Sequence, residues 1–250
     1  MKKYFITALL AIAFCNLSSL KTFSKELYEL RVYEMTMGSI STFEKYLADA
    51  LIPAFNRQGV KHVGAFREMS KNEPAMVYLL IPYSSFDDYG KVKDALAKDA
   101  EYQKAADSYN KIGVEKPVFF GYESSFMIAF DGLPKMIVPE NKARIFELRT
   151  YMGYSDDAVR RKIKMFNEEE FDIFNRTKLN PVFFGEVISG KNLPNLTYMI
   201  TFKDMEERDN NWKAFSADPT WQKVSKDPQY ANSVSKIIRT FLEPMACSQI

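Results

Sequence analysis

The sequence carries the same strand-like motif twice, and this repeat constrains the fold more than any other feature. Glu-Leu-Arg-Val-Tyr at residues 29–33 returns as Glu-Leu-Arg-Thr-Tyr at residues 147–151, about 118 positions later. Two further matches keep the order and nearly the spacing: Phe-Asn-Arg at 55–57 and 174–176, and Asp-x-x-aromatic-Gln-Lys at 99–104 and 218–223. A unit of about 110 residues is a normal domain size. The repeat therefore predicts a tandem duplication of one domain.

The first residues are typical of an export signal. Two lysines precede an apolar run of about eleven residues, too short to span a bilayer, and no acidic residue occurs before Glu26. We therefore predict a signal peptide over residues 1–24 and a periplasmic or secreted protein. A lipoprotein anchored at Cys15 is the alternative, which the bulky Phe14 disfavours because such sites prefer a small residue there.

Composition excludes several classes of function. The 34 basic and 32 acidic side chains nearly balance, so no basic footprint for nucleic acid is present. The sequence has no Gly-rich phosphate loop, no Ser-His-Asp or Cys-His arrangement and no zinc-ligand spacing. Hydrolases, kinases and nucleotide-dependent oxidoreductases are therefore disfavoured, and we expect neither a metal nor another cofactor. Removal of the signal would leave Cys247 as the sole cysteine, so an intrachain disulfide is not expected.

Hydrophobic periodicity predicts the same element order in both units, which is strand, helix, strand, strand, helix, strand. We place the first unit at residues 25–130, a linker at 131–141 and the second unit at 142–250. This order predicts an α+β fold of two tandem ferredoxin-like (β-α-β-β-α-β) halves, each with a four-stranded antiparallel sheet and helices on one side. The two bare sheet faces can bury each other, so the expected architecture is a dimeric α+β barrel formed within one chain.

The repeated strand motif, the helix that follows it and the Asp-x-x-aromatic-Gln-Lys segment resemble the NIPSNAP family. The resemblance covers both repeats and is closest to secreted bacterial members. It implies the fold of the dimeric α+β barrel superfamily, which includes cofactor-free monooxygenases and haem-degrading enzymes. Eukaryotic members of the family are mitochondrial interaction proteins, and the resemblance carries over no agreed chemistry for the bacterial ones.

Two matched sets of polar side chains are the candidates for ligand binding. Arg31 and Tyr33 share one face of the first strand, and Arg149 and Tyr151 share the same face in the second repeat. In a fused barrel the two sets could lie near one another and hold an anionic or hydroxylated ligand, with arginine as a bidentate donor. The alternative is structural, because a glutamate two positions before each arginine can neutralise it as an ion pair.

Two single residues are weaker candidates for catalysis. His62, the only histidine, falls on the predicted second strand and could act as a general base. Glu170 falls on the apolar stripe of the first helix of the second repeat, where a buried carboxylate would have a raised pKa. The alternatives are a structural histidine and a carboxylate that points to solvent.

The predicted function is binding rather than catalysis. We expect an exported protein that binds a small apolar or aromatic ligand, or a protein partner. The sequence leaves open whether it assembles as a homodimer. The alternative is a cofactor-independent enzyme of the monooxygenase or isomerase type, acting on an aromatic or polyketide-like substrate. We expect no nucleic-acid partner and no transmembrane segment.

Overall fold

The elements of the two halves follow the predicted order. The computed structural model describes residues 24–70, 72–140 and 142–250, so the predicted signal segment and Cys15 lie outside it, apart from Ser24. The first half contains β1 (Leu27–Met35), α1 (Ile40–Tyr46), a π segment (Leu47–Leu51), α2 (Ile52–Arg57), β2 (Gly64–Glu68), β3 (Met76–Tyr83), α3 (Phe86–Lys98), α4 (Ala100–Asn110) and β4 (Phe119–Ala129). The second half contains β5 (Ile145–Met152), α5 (Asp156–Met165), a π segment (Phe166–Glu170), α6 (Phe171–Thr177), β6 (Asn180–Ser189), β7 (Asn195–Phe202), α7 (Met205–Ala217), α8 (Pro219–Val224), a short 3-10 turn (Pro228–Tyr230) and β8 (Lys236–Pro244).

The eight strands form one closed antiparallel barrel in the order β1-β3-β2-β8-β5-β7-β6-β4. Each half contributes four consecutive strands of this order. Two seams join the halves: β2 pairs with β8, with Arg67 opposite Glu243, and β4 pairs with β6, with Met127 opposite Val187. The predicted α+β fold with an intrachain barrel is therefore confirmed. Closure also leaves no free sheet edge among these eight strands.

Alternation along each strand separates the inside of the barrel from its outside. Tyr28 and Leu30 on β1 pack with Phe146 and Leu148 on β5 in a cluster within the barrel. Tyr33, one strand position out of phase with them, packs instead against the helices of the first half. Because successive side chains point to opposite faces, the repeated Glu-x-Arg-x-Tyr motif lies between sheet and helices in both halves.

The helix boundaries depend on local hydrogen bonds that differ between the halves. Ser155 caps α5 by accepting a hydrogen bond from the backbone N–H of Ala158. Ser39 occupies the equivalent position before α1, but its hydroxyl donates to the carbonyls of Thr36 and Val118 instead. Both helices then pass through a π segment, which the sequence pattern did not predict. None of the helices in the described ranges has the length and apolar character needed to cross a bilayer.

Candidate functional site

A cleft of about 290 Å³ lies between the outer face of the first-half sheet and its helices, and we call it the Arg31 cleft. Besides Arg31 it is lined mainly by aromatic rings. These are five tyrosines and three phenylalanines, namely Tyr33, Tyr46, Tyr102, Tyr109, Tyr122, Phe43, Phe55 and Phe119. A volume near 300 Å³ lies at the lower end of the range of small-molecule pockets, about 300–1,000 Å³. The cleft can therefore hold a small, flat organic molecule.

Arg31 is held in the wall of the cleft by Glu29. Its Nε donates to Glu29 Oε1 at 2.7 Å and its Nη2 donates to Oε2 at 2.9 Å, so the contact is bidentate. Tyr83 and Ser124 donate to the same carboxylate at 3.1 and 2.9 Å. The predicted ion pair is thus present. Within the described part of the chain, no hydrogen bond of good geometry involves Nη1 of Arg31, although the Tyr33 hydroxyl lies close enough to interact with the guanidinium. One pair of N–H donors therefore faces the cleft.

Aromatic faces surround this guanidinium. Its central carbon lies 5.9 Å from the ring centre of Phe55 and 5.7 Å from that of Tyr122, both within cation–π range. Tyr33 stacks on Tyr122 at 4.7 Å. Offset and stacked rings of this kind present flat, rigid surfaces with little rotational freedom to lose on binding. The two predicted ligand-binding residues of the first half, Arg31 and Tyr33, therefore lie together in the same cleft.

Two further tyrosines form a hydroxyl pair in the helical wall. Tyr46 Oη lies 2.6 Å from Tyr102 Oη, and Tyr46 stacks on Tyr109 with ring centres 3.9 Å apart. Burial raises the pKa of Tyr46 well above its ordinary value and raises the pKa of Tyr109 to about 12. Burial also raises the pKa of Tyr33, although Arg31 opposes this shift. At neutral pH these phenols are therefore uncharged and can act as hydrogen-bond donors.

The equivalent arginine of the second half pairs both terminal nitrogens, and only its buried Nε has no hydrogen-bond partner among the described residues. Arg149 donates from Nη1 to Glu147 at 2.7 Å and from Nη2 to the hydroxyl of Tyr151 at 3.0 Å. Tyr198 donates to the same hydroxyl at 2.9 Å, and the guanidinium carbon of Arg149 lies 4.3 Å from the ring centre of Trp212. Arg149 is 7% exposed. The motif recurs in sequence, but the pairing differs: Arg149 donates to Glu147 from one nitrogen and to Tyr151 from another, and these side chains are buried against one another.

The strand register shows that the residues opposite the two arginines differ between the halves. Arg31 lies opposite Leu79 on β3, whereas Arg149 lies opposite Tyr198 on β7. The second half therefore has a larger side chain opposite its arginine than the first half has. From helix α7, Arg208 and Trp212 both donate to Glu147. Burial alone would raise the pKa of Glu147, but these hydrogen bonds and the charge of Arg149 bring it below its ordinary value.

The two motifs do not lie near one another, and the expectation that they could form one shared site is wrong. β1 is flanked by β3 and β4, and β5 is flanked by β7 and β8. Tyr33 belongs to the core between sheet and helices in the first half, and Tyr151 belongs to the separate core of the second half. Each motif faces the helices of its own half.

His62 lies outside the Arg31 cleft. The predicted second strand begins only at Gly64, so His62 is an exposed loop residue, with a left-handed backbone conformation at φ 60°. It lines a different groove of about 390 Å³, together with Lys61, Asp88 and Lys135. This groove is larger than the cleft, but its lining is mixed and contains a single aromatic residue, Tyr83, so it lacks the aromatic walls that would bury a ligand.

Glu170 is buried, as the apolar stripe predicted, but it is already paired. It is 2% exposed and accepts a hydrogen bond from Lys162, which is 4% exposed. Burial raises the pKa of Glu170 against the opposing charges of Lys162 and Arg149. The Lys162 ammonium also lies 4.6 Å from the ring centre of Phe166. Glu170 lines neither the Arg31 cleft nor the His62 groove, so its position is that of a structural ion pair.

The sequence pattern did not identify the cleft tyrosines on the helices. Tyr46, Tyr102 and Tyr109 come from α1 and α4, and only the fold brings them together. A position-by-position comparison of the repeats would have given one signal, since Leu79 is replaced by Tyr198 in an otherwise similar strand. Among the described residues, no group of three histidine, cysteine or acidic side chains could hold a metal ion.

Comparison with known proteins places the chain by sequence and by fold. The NIPSNAP family model matches residues 28–116 and 146–249, one segment in each half. A search of curated proteins gives no significant match.

Solved structures share the fold at low sequence identity. One named as a "putative monooxygenase" from Lactobacillus acidophilus has a TM-score of 0.61 at 9% identity and covers 88% of this chain and 94% of its own. Another of the same name from Fusobacterium nucleatum has a TM-score of 0.57 at 11% identity, covering 89% of this chain and 93% of its own. A NIPSNAP family protein from Agrobacterium tumefaciens is 18% identical over 46% of this chain and 97% of its own, with a TM-score of 0.40.

Proposed function

This chain belongs to the NIPSNAP family, and we propose that it is a non-enzymatic protein that binds a small planar aromatic molecule in the Arg31 cleft. The observation that carries this proposal is the free Nη1 edge of Arg31 in an aromatic wall. The ligand stacks against the rings and accepts a hydrogen bond from Nη1 through a phenol or ketone oxygen. Because Glu29 neutralises Arg31, an uncharged acceptor binds without an unpaired charge in the site.

Binding is favoured over catalysis by the side chains that line the cleft. No histidine, cysteine or carboxylate is among them, and the nearby Glu29 already accepts four hydrogen bonds. A general base needs a free lone pair within reach of the substrate. His62 and Glu170, the earlier catalytic candidates, lie outside the cleft.

A cofactor-independent enzyme of the monooxygenase or isomerase type is the second candidate. The Tyr46–Tyr102 hydroxyl pair, 2.6 Å apart in the cleft wall, favours it. Burial raises the pKa of Tyr46, so its uncharged phenol can donate to an oxyanion that develops on a bound aromatic ketone or phenol. Consumption of dissolved oxygen, or change in the absorbance spectrum of the bound aromatic, would distinguish this enzyme from a binding protein.

Titration with 2-naphthol, followed by its fluorescence, tests the binding site. Arg31→Lys keeps a positive charge beside Glu29 but removes the planar fork. We expect its affinity to fall about tenfold, because a hydrogen bond to a charged group contributes about 1.5–3 kcal/mol and about 1.4 kcal/mol is tenfold. Arg239→Met is the matched control, since Arg239 is an exposed arginine on the outer sheet surface of the other half.

A second variant tests the same cleft sterically. Ala97 is an exposed residue of α3 that lines the cleft, so Ala97→Trp should cover it and abolish binding. Ala100→Trp places the same ring on an exposed position outside the lining and should bind as the wild type does. Wild-type affinity in both Arg31→Lys and Ala97→Trp would reject the Arg31 cleft as the binding site.

Export to the periplasm or the medium is part of the proposal. The basic and apolar start of the sequence supports it, and lipid attachment at Cys15 is the second possibility. The intact mass of the protein purified from its host would distinguish a chain that begins near residue 25 from a lipidated one that begins at Cys15. Native mass spectrometry of the same sample would also show whether it is a homodimer.

A further inference from the structure

A second cavity of about 300 Å³ opens at one end of the barrel interior, and we call it the barrel cup. Seven of the eight strands contribute to its lining, and it shares no lining residue with the Arg31 cleft. The cup therefore belongs to neither half alone. It exists because the two sheets meet face to face.

The barrel cup is closed at its inner end and open at the other. On β1 the exposed fraction rises from 0% at Tyr28 to 7% at Leu30, and Val32 is half-buried. β5 shows the same gradient from Phe146 to Thr150. Aromatic rings fill the inner end, where Tyr28 and Phe183 lie 5.1 Å apart. Protein interiors are normally packed with few voids. The barrel follows this rule at its inner end, and the cup is an unfilled space at the other end.

The walls of the cup are mainly apolar, with Ser125 and Thr240 opposite Leu30 and Leu148, and its rim is polar without net charge. The apolar wall consists of Leu30, Val32, Met127, Leu148, Val187 and Ile238. At the rim, the hydroxyl oxygens of Thr150 and Thr197 lie 2.9 Å apart. Lys191 and Glu123 form an exposed ion pair across the rim at 2.7 Å, so their charges cancel.

We propose that the barrel cup binds a small uncharged amphipathic molecule, with its hydrocarbon part against the apolar wall and a hydroxyl or carbonyl group at the threonine rim. Water beside an apolar wall makes few hydrogen bonds, so its displacement by hydrocarbon favours binding. At about 30 Å³ for each water-sized group, the cup holds on the order of ten non-hydrogen atoms. The neutral rim offers hydrogen bonds but no unpaired charge to attract an ion.

Methyl-labelled methionine makes the cup directly observable. Met76 and Met127 line the cup, the Arg31 cleft has no methionine in its lining, and the half-exposed Met205 on α7 lies outside both. In a titration of the full chain with 1-octanol, the methyl signals of Met76 and Met127 should shift to saturation. The signal of Met205 should stay in place. Octanoate, which carries a charge at the same chain length, should bind more weakly.

Adjacent positions on β8 give a matched pair of variants. Ile238 lines the cup, whereas its neighbour Ile237 is 43% exposed on the opposite face. Ile238→Trp should fill the cup and abolish the saturable shift, and Ile237→Trp should bind as the wild type does. Circular dichroism checks folding, and Val32→Phe serves as the blocking variant if Ile238→Trp does not fold.

Three results would overturn the proposal. These are the absence of a saturable shift at Met76 and Met127 up to the solubility limit of 1-octanol, wild-type binding in a folded blocking variant, and tighter binding of octanoate than of 1-octanol. None of these results depends on whether the Arg31 cleft binds 2-naphthol, since the two cavities have separate linings.

Discussion

Replacement of Glu170 by leucine, with Lys162 left in place, removes one partner of a buried ion pair in the second half. Lys162 is 4% exposed, and its remaining neighbours would be the Met165 sulfur at 3.4 Å and aromatic faces. These groups do not replace a carboxylate. Loss of one partner from a buried pair costs about 3–5 kcal/mol. We expect Glu170→Leu to lower the free energy of unfolding by this amount. Lys162→Phe should lower it similarly at neutral pH, because it leaves the Glu170 carboxylate buried without a partner.

The first half supplies the residues for the compensating change. Phe43 and Leu51 stand at the same spacing from the first π segment as Lys162 and Glu170 do from the second, and both are buried hydrophobic residues. Lys162→Phe/Glu170→Leu therefore copies an arrangement that already packs in this fold. Replacement of a whole buried pair by hydrophobic residues is often neutral or stabilising by about 1–4 kcal/mol. The double variant should be at least as stable as the wild type.

Urea unfolding followed by far-ultraviolet circular dichroism measures all four proteins, with unchanged m values required for a two-state comparison. The expected coupling between the two substitutions is several kcal/mol, because each single variant leaves a charge that the double variant removes. A double variant as unstable as the sum of the two single variants would refute the reasoning. It would mean that the single variants lose stability through altered packing and not through the charge left unpaired.

Two other substitutions test the charge of Glu147 and the pairing of β4 with β6. Because the pKa of Glu147 lies below its ordinary value of 4.5 in the folded state, its ionised form stabilises the fold above that pH, and this stabilisation is lost as the pH falls below about 4.5. Glu147→Gln should therefore be destabilised at pH 7 and approach the wild type in acid, as measured by thermal melts across pH; a difference that does not change with pH would contradict this. A Cβ at Gly185 would lie 2.6 Å from the Cβ of Met127 across the β4–β6 seam, so Gly185→Ala should cost about 1–3 kcal/mol in urea. Gly121→Ala, with no atom within 4 Å of the added Cβ, is its control and should change little.

The fold was predictable because it depends on local patterns that occur twice. Alternation along β1 and the helix spacing after it identify which faces are buried, and the repeat shows that two sheets are available to cover each other. The predicted order of strands and helices holds in both halves. The start of β2 differs from the prediction, because the left-handed backbone at His62 delays the strand to Gly64.

The site was less predictable because its residues meet only in the folded chain. Arg31 and Tyr33 could be placed on one strand face, but not the partners that differ between the halves. Periodicity put Glu170 on a buried stripe, yet gave no reason to pair it with Lys162 eight positions earlier. Such a contact depends on the π segment between the two residues, which shifts the helix register and which the spacing of apolar residues did not reveal.

Closure of the barrel within one polypeptide has a genetic consequence. In a barrel built from two identical subunits, a single codon change alters both sheets at once. A substitution that fills the space between helices and sheet would therefore fill it in both subunits. Here the two halves are encoded separately, and Tyr198 and Trp212 could replace smaller or exposed residues in one half without any change to the other. Selection can therefore keep one half as a rigid support while the other varies its cleft. The shape of one cleft can therefore change without loss of the barrel that supports it.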